Sequence, residues 1–117
     1  MQEFTQLKNI LFENSKYLIS IFIFYIVDFL TGFSKAFKNK KFSSEKLRGS
    51  VSKALEYVGF ILVGVVTVYL FNFDIAIKLI VISLCSIEFT SICENANELG
   101  FKFPNVITNL FERGKGD

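Results

Sequence analysis

The sequence predicts an all-α membrane protein: three transmembrane helices preceded by an amphipathic interfacial helix, in a single domain that assembles as a homo-oligomer. Three observations predict it. The 117 residues include 15 Phe, one Pro and no Trp or His, and the mean hydropathy of +0.44 exceeds what a soluble core of this size uses. The apolar residues gather into three runs separated by short polar breaks. The basic residues gather in one of those breaks.

Residues 1–16 are polar with a sparse apolar set, Phe4, Leu7 and Ile10 or Leu11. Spacings of three and four suit a helix lying on a membrane surface; a solvated tail is the alternative. Residues 17–33 form the first span. Eleven of them are Leu, Ile, Phe or Val, which favours insertion by about 3 to 7 kcal/mol and outweighs about 2.5 to 3.5 kcal/mol for Asp28. Acids at Glu3 and Glu13, and Asp28 near the end of the apolar core, argue against reading this run as a cleaved signal peptide.

The break at residues 34–53 holds Lys35, Lys38, Lys40, Lys41, Lys46, Arg48 and Lys53, seven of the 13 basic residues, with Glu45 the one acid among them. Flanked by apolar runs, this is a topology-setting cytoplasmic loop rather than a nucleic-acid patch. Residues 54–73 form the second span, with Glu56 at its cytoplasmic end. Asn72, Phe73 and Asp74 make a tight turn to the third span, residues 75–92, which holds Lys78 and Glu88 toward opposite ends, where Lys can snorkel and Glu can reach the interface. Residues 93–117 form a polar C-terminal segment in which Gly100 and Pro104 signal a stop. Three spans with this loop inside place the N-terminus outside and the C-terminus in the cytoplasm.

Two constellations stand out. In "DFLTGFSKA", Asp28, Thr31, Gly32 and Lys35 share one helical face, suited to a packing seam or a pore-facing stripe; the plain alternative is a helix nearing the interface. In the third run, Ser83, Ser86, Thr90, Cys93 and Asn97 make one polar stripe. Glu88, Ser91, Asn95, Glu98 and Lys102 make another, rotated by about 140°. Polar groups on two faces of a membrane helix call for protein or water on both. Two further spans give too little cover for that, so the pattern predicts self-association; a helix that leaves the bilayer near Glu88 is the alternative. Glu94 lies beside this stripe.

No catalytic set is visible. Without His, metal and His-dependent hydrolytic chemistry lose their usual ligand and base, and Cys85 and Cys93 stand about 12 Å apart on one helix, too far for a disulfide. The residues predict no enzyme and no cofactor.

"DFLTGFSKAFKNKKFSSEKLRGSVSK", two apolar runs and "IEFTSICENANELGFKFP" resemble the phage holin family that includes the clostridial toxin-secretion holins. The resemblance covers residues 17–104. It rests on Asp28, Thr31 and Gly32; on Ser43, Gly49 and Lys53; and most specifically on Glu88, Ser91, Ile92, Glu94, Asn95, Gly100 and Pro104. It implies a protein that accumulates in the bacterial inner membrane, oligomerises and opens it, so that an endolysin or a large toxin leaves as passing cargo rather than as a bound partner. The expected partners are the lipid bilayer and further copies of the chain, with no nucleic acid. A small multidrug or ion transporter using Asp28, and a non-conducting antiholin-like regulator, are the rival readings.

Overall fold

The computed structural model describes residues 1–101; the rest of the C-terminal segment, including Lys102, Pro104, Arg113 and Lys115, lies outside the described residues. Four helices follow one another: α1 (Gln2–Glu13), α2 (Ser15–Lys38), α3 (Ser44–Phe71) and α4 (Ala76–Glu98). Among the described residues there is no strand. Helices α2, α3 and α4 are each long and apolar enough to cross a membrane, at about 36, 42 and 35 Å by helical rise.

Each boundary has a local cause. Asn14 separates α1 from α2, its side-chain amide donating to the Ile10 carbonyl at 2.8 Å. Lys35 and Lys38 sit in the last turn of α2, where cations favour the negative end of the helix dipole. The reversal to α3 passes through Lys40 at φ 54°. Ser43 then caps α3, its Oγ accepting from the Lys46 amide at 3.2 Å. At the far end of α3, Asn72 adopts φ 55° and its N–H bonds to the Val68 carbonyl, which turns the chain into α4 within a few residues. Gly100, at φ 105°, ends α4. The amides of Phe101 and Gly100 reach back to the carbonyls of Ala96 and Asn97, a pairing that needs the left-handed backbone glycine adopts freely.

These ends shift the expected boundaries. The break at residues 34–53 is helical except for its centre, so its basic residues sit mostly on α2 and α3. Helicity persists past residue 92 to Glu98, so the polar C-terminal segment begins as a continuation of the third span.

Helix α4 is the keystone, packed against both α2 and α3. Its buried side joins Ile77, Val81 and Leu84 to Ile21 of α2 and to Tyr57, Val65 and Val68 of α3. Gly64 lets α3 approach α4, because a Cβ there would meet the Ile80 Cδ1 at 2.9 Å and the Ile77 Cγ1 at 3.3 Å. Leu7 and Ile10 of α1 pack onto the same core, while Phe4 and Phe12 stay exposed. Outward-facing residues such as Phe22, Leu30, Leu55, Leu62 and Leu70 are exposed, an apolar exterior suited to lipid. The chain is a multi-pass membrane protein.

Candidate functional site: a buried polar cluster joining three spans

Toward the α2–α3 turn, the apolar core gives way to a cluster contributed by all three spans. Asp28, Glu88 and Asn95 are 6%, 0% and 7% exposed. Lys53 of α3 donates to the Asp28 Oδ2 at 2.6 Å and lies 3.1 Å from the Glu88 Oε1, bridging α2 to α4. The Tyr57 hydroxyl, one turn along α3, donates to the same Glu88 oxygen. The Asp28 Oδ1 accepts from the Ser91 hydroxyl at 2.7 Å and from the Asn95 amide at 3.1 Å. Asn95 also donates to the Thr31 Oγ1 at 3.1 Å. No described side-chain polar atom that is fully buried lacks a partner.

Spacing explains the convergence. Lys53 and Tyr57 are one turn apart on α3. Glu88, Ser91 and Asn95 recur at three and four on α4. Asp28 and Thr31 do the same on α2. Small residues bring the backbones close: a Cβ on Gly32 would lie 3.5 Å from the Asn95 amide nitrogen. Nearer the turn, Lys35 pairs with Glu98 at 3.0 Å, so the face that carries Asp28, Thr31, Gly32 and Lys35 lies along α4 of the same chain. The Lys53 ammonium also stands 5.3 Å from the Tyr25 ring centroid, and the Tyr25 hydroxyl ties α2 to α3 through the Ser50 carbonyl at 2.7 Å. A crevice of about 460 Å³ opens between α2 and α3 beside this network, with Phe29, Phe33 and Phe42 on its walls and Asp28 and Lys53 at its depth.

Three expectations need correction. Glu88 does not reach the interface; it is fully buried, because Lys53 and Tyr57 offer it donors inside the bundle. The stripe of Glu88, Ser91 and Asn95 needs no second subunit, since α2 and α3 of the same chain satisfy it. Lys53 is more than a loop charge, being the cation at the cluster's centre. The remaining basic residues, Lys38, Lys40, Lys41, Lys46 and Arg48, are exposed around the turn.

Ser83, Ser86 and Thr90 are exposed, and each hydroxyl donates to the carbonyl four residues back on α4. Glu56 is exposed on α3 and Glu94 is half-buried. Sequence reasoning did not single out Tyr25 or Tyr57. The signal was present: two acids in apolar runs require donors, and Lys53 with Tyr57 is the Lys/Tyr pair at helical spacing on the remaining span.

The cluster is built to hold helices in register. Its two carboxylates meet one ammonium, hydroxyls and an amide, with no nucleophile–base pair among them, and no group of three metal-ligating side chains occurs among the described residues.

A three-span helical membrane protein locked by an internal ion-pair network is the class that the fold and site define. The family model described as the bacteriophage holin family matches residues 7–115, and the chain belongs to that family. Its function is accordingly of the holin type, and the family is not one of enzymes. The chain is also 36% identical over 104 residues to "Uncharacterized protein YqxH" of Bacillus subtilis (strain 168), a match covering 87% of this chain and 74% of that protein. No solved structure matches the chain.

Proposed function

We propose that the chain accumulates in the bacterial inner membrane, self-associates and opens lesions through which an endolysin or a large toxin passes as cargo. The observation that carries this reading is the family match over nearly the whole chain, residues 7–115. That range includes every residue of the buried cluster. The exposed basic residues around the α2–α3 turn support a cytoplasmic turn, with the N-terminus outside and the C-terminus inside.

Inducible expression in a bacterium without lytic genes tests the function, with membrane potential and release of a co-expressed endolysin followed together. Sudden loss of potential coinciding with endolysin release is expected. Substrate efflux driven by the proton gradient, with the potential maintained, would replace this reading with a transporter. Delay of lysis by a second holin, with no lesion of its own, would replace it with an antiholin-like regulator. For orientation, a Lys40→Cys variant lacking Cys85 and Cys93 should resist an impermeant thiol reagent applied outside intact cells; labelling there would invert the topology.

A further inference from the structure

Two outward faces of the bundle carry polarity that the buried cluster does not use. On α3, Ser52, Glu56 and Gly59 lie within about 60° of one another and point away from the side that buries Tyr57 and Val65, with Gly49 at the edge of this face beside the crevice. On α4, Ser83, Ser86 and Thr90 lie within about 60° of one another, opposite Leu84 and Glu88. Glu56 makes no ion pair or side-chain hydrogen bond among the described residues; Lys53, three residues back on the helix, is already engaged by Asp28 and Glu88. Counting about 20 residues for the hydrocarbon core back from Phe71 puts Glu56 about 6 Å inside it. A carboxylate at that depth ordinarily faces protein or water rather than lipid.

The glycines divide in the same way. Gly32 and Gly64 are occupied by contacts inside the bundle, whereas a Cβ on Gly49 or Gly59 would meet nothing within 4 Å. Small residues left open on a membrane helix permit the close approach of another helix.

Depth decides which helix that is. Copies of one chain share an orientation in the membrane, so only elements at the same level meet. Lys53 and Tyr57 both bind Glu88, which puts residues 53–57 of α3 level with Glu88 of the antiparallel α4. Glu56 of one copy is therefore level with the segment between Ser86 and Thr90 of another. A contact of α3 with α3 would bring two Glu56 carboxylates together, and a contact of α4 with α4 would leave Glu56 in lipid. A contact of α3 with α4 gives the acceptor-only carboxylate hydroxyl donors, because Ser86 and Thr90 can turn their hydroxyl hydrogens from the Ile82 and Ser86 carbonyls of their own helix to the carboxylate.

We propose that copies of this chain meet head to tail, the Gly49–Ser52–Glu56–Gly59 face of α3 on one copy against the Ser83–Ser86–Thr90 face of α4 on the next. This rests on the self-association in the proposed function and specifies its surface. Such a contact uses a different patch on each partner, so it repeats from copy to copy into a ring or an open chain rather than stopping at a dimer.

Cysteine cross-linking in membranes tests it, in the full chain carrying Cys85→Ala and Cys93→Ala. Under oxidation, Gly59→Cys combined with Ser86→Cys should give a ladder extending beyond the dimer, as should Ser52→Cys combined with Thr90→Cys. Each single variant should remain monomeric. Dimers from the single variants in equal yield would overturn the proposal, as would the absence of a ladder from both pairs. Adding Glu56→Leu should lower the apparent association constant about three- to twenty-fold, with Glu56→Gln retaining more association than Leu; an undiminished ladder in Glu56→Leu would also overturn it. A ladder in a protein that forms no lesions supports the contact while removing the lesion reading. A stable oligomer by mass that gives no cross-links at either pair removes the contact and leaves the lesion reading standing.

Discussion

The two ends of the bundle are held together by different forces. Toward the α3–α4 turn the contact is apolar: Ile77, Val81 and Leu84 against Val65 and Val68, with Gly64 setting the distance. Toward the α2–α3 turn it is polar: Asp28, Lys53, Tyr57, Glu88, Ser91 and Asn95. In water the apolar end would dominate stability. In lipid it does not, because acyl chains contact Ile and Val about as well as a neighbouring helix does, leaving shape and close packing as the apolar end's contribution. The polar end has no such substitute. A charge separated from its partners there faces hydrocarbon, so the cluster specifies which helix faces which and at what level.

The sharpest way to break this contrast is Lys53→Met. It leaves two carboxylates sharing a buried site without their cation and should cost about 3 to 5 kcal/mol, read as loss of monodisperse protein and a lowered unfolding midpoint in mild detergent. Adding Asp28→Asn and Glu88→Gln should recover most of that loss. A single Lys53→Met variant as stable as the parent would show that the cluster does not hold the bundle.

The apolar end is probed by Gly64→Ala, whose new methyl runs into the Ile80 and Ile77 side chains and lies 3.6 Å from the Ile77 Cα. Overpacking of this kind costs about 1 to 3 kcal/mol, measurable in the same unfolding assay. An unchanged midpoint would mean that α3 and α4 separate there at little cost, which would sharpen the contrast in favour of the polar end.

Tyr57→Phe removes one donor to Glu88 while leaving Lys53 in place. Interhelical hydrogen bonds in membranes average about 0.6 kcal/mol and reach about 1.7, so the loss should fall in that range; a shift as large as that of Lys53→Met would make the tyrosine, not the lysine, the keystone of the cluster. Ser83→Ala marks the floor. Its hydroxyl bonds only within α4, to the Leu79 carbonyl, and the folding stability of the single chain should stay within about 0.5 kcal/mol.

Some of this is legible in the sequence. The shared face of Asp28, Thr31, Gly32 and Lys35, and the stripe of Glu88, Ser91 and Asn95, follow from helical periodicity. What each face meets does not. Helical period alone leaves the stripe on α4 short of cover from two further spans; the donors and acceptors those spans carry, Tyr57, Lys53 and Asp28, make another subunit unnecessary for it. Lys53 groups with its basic neighbours in the sequence because it stands at the edge of an apolar run, where charge patterning and orientation give the same reading as a loop. Glu56 and Glu88 show the limit most plainly. Both are acids in apolar runs, yet one points outward and the other is sealed against Lys53 and Tyr57.

The sequence by itself determined the class: three runs long enough to span, a basic turn between the first two, and polar residues at helical spacing, all local properties of composition and period. Only the tertiary structure decided that α4 stands against both other spans, and that Lys53 bridges acids 25 and 35 residues away. The physical reason is that periodicity defines a face on each helix, while the pairing of faces depends on the rotation and depth of each helix relative to the others. Those are set jointly by Gly64 at one end and the buried charges at the other.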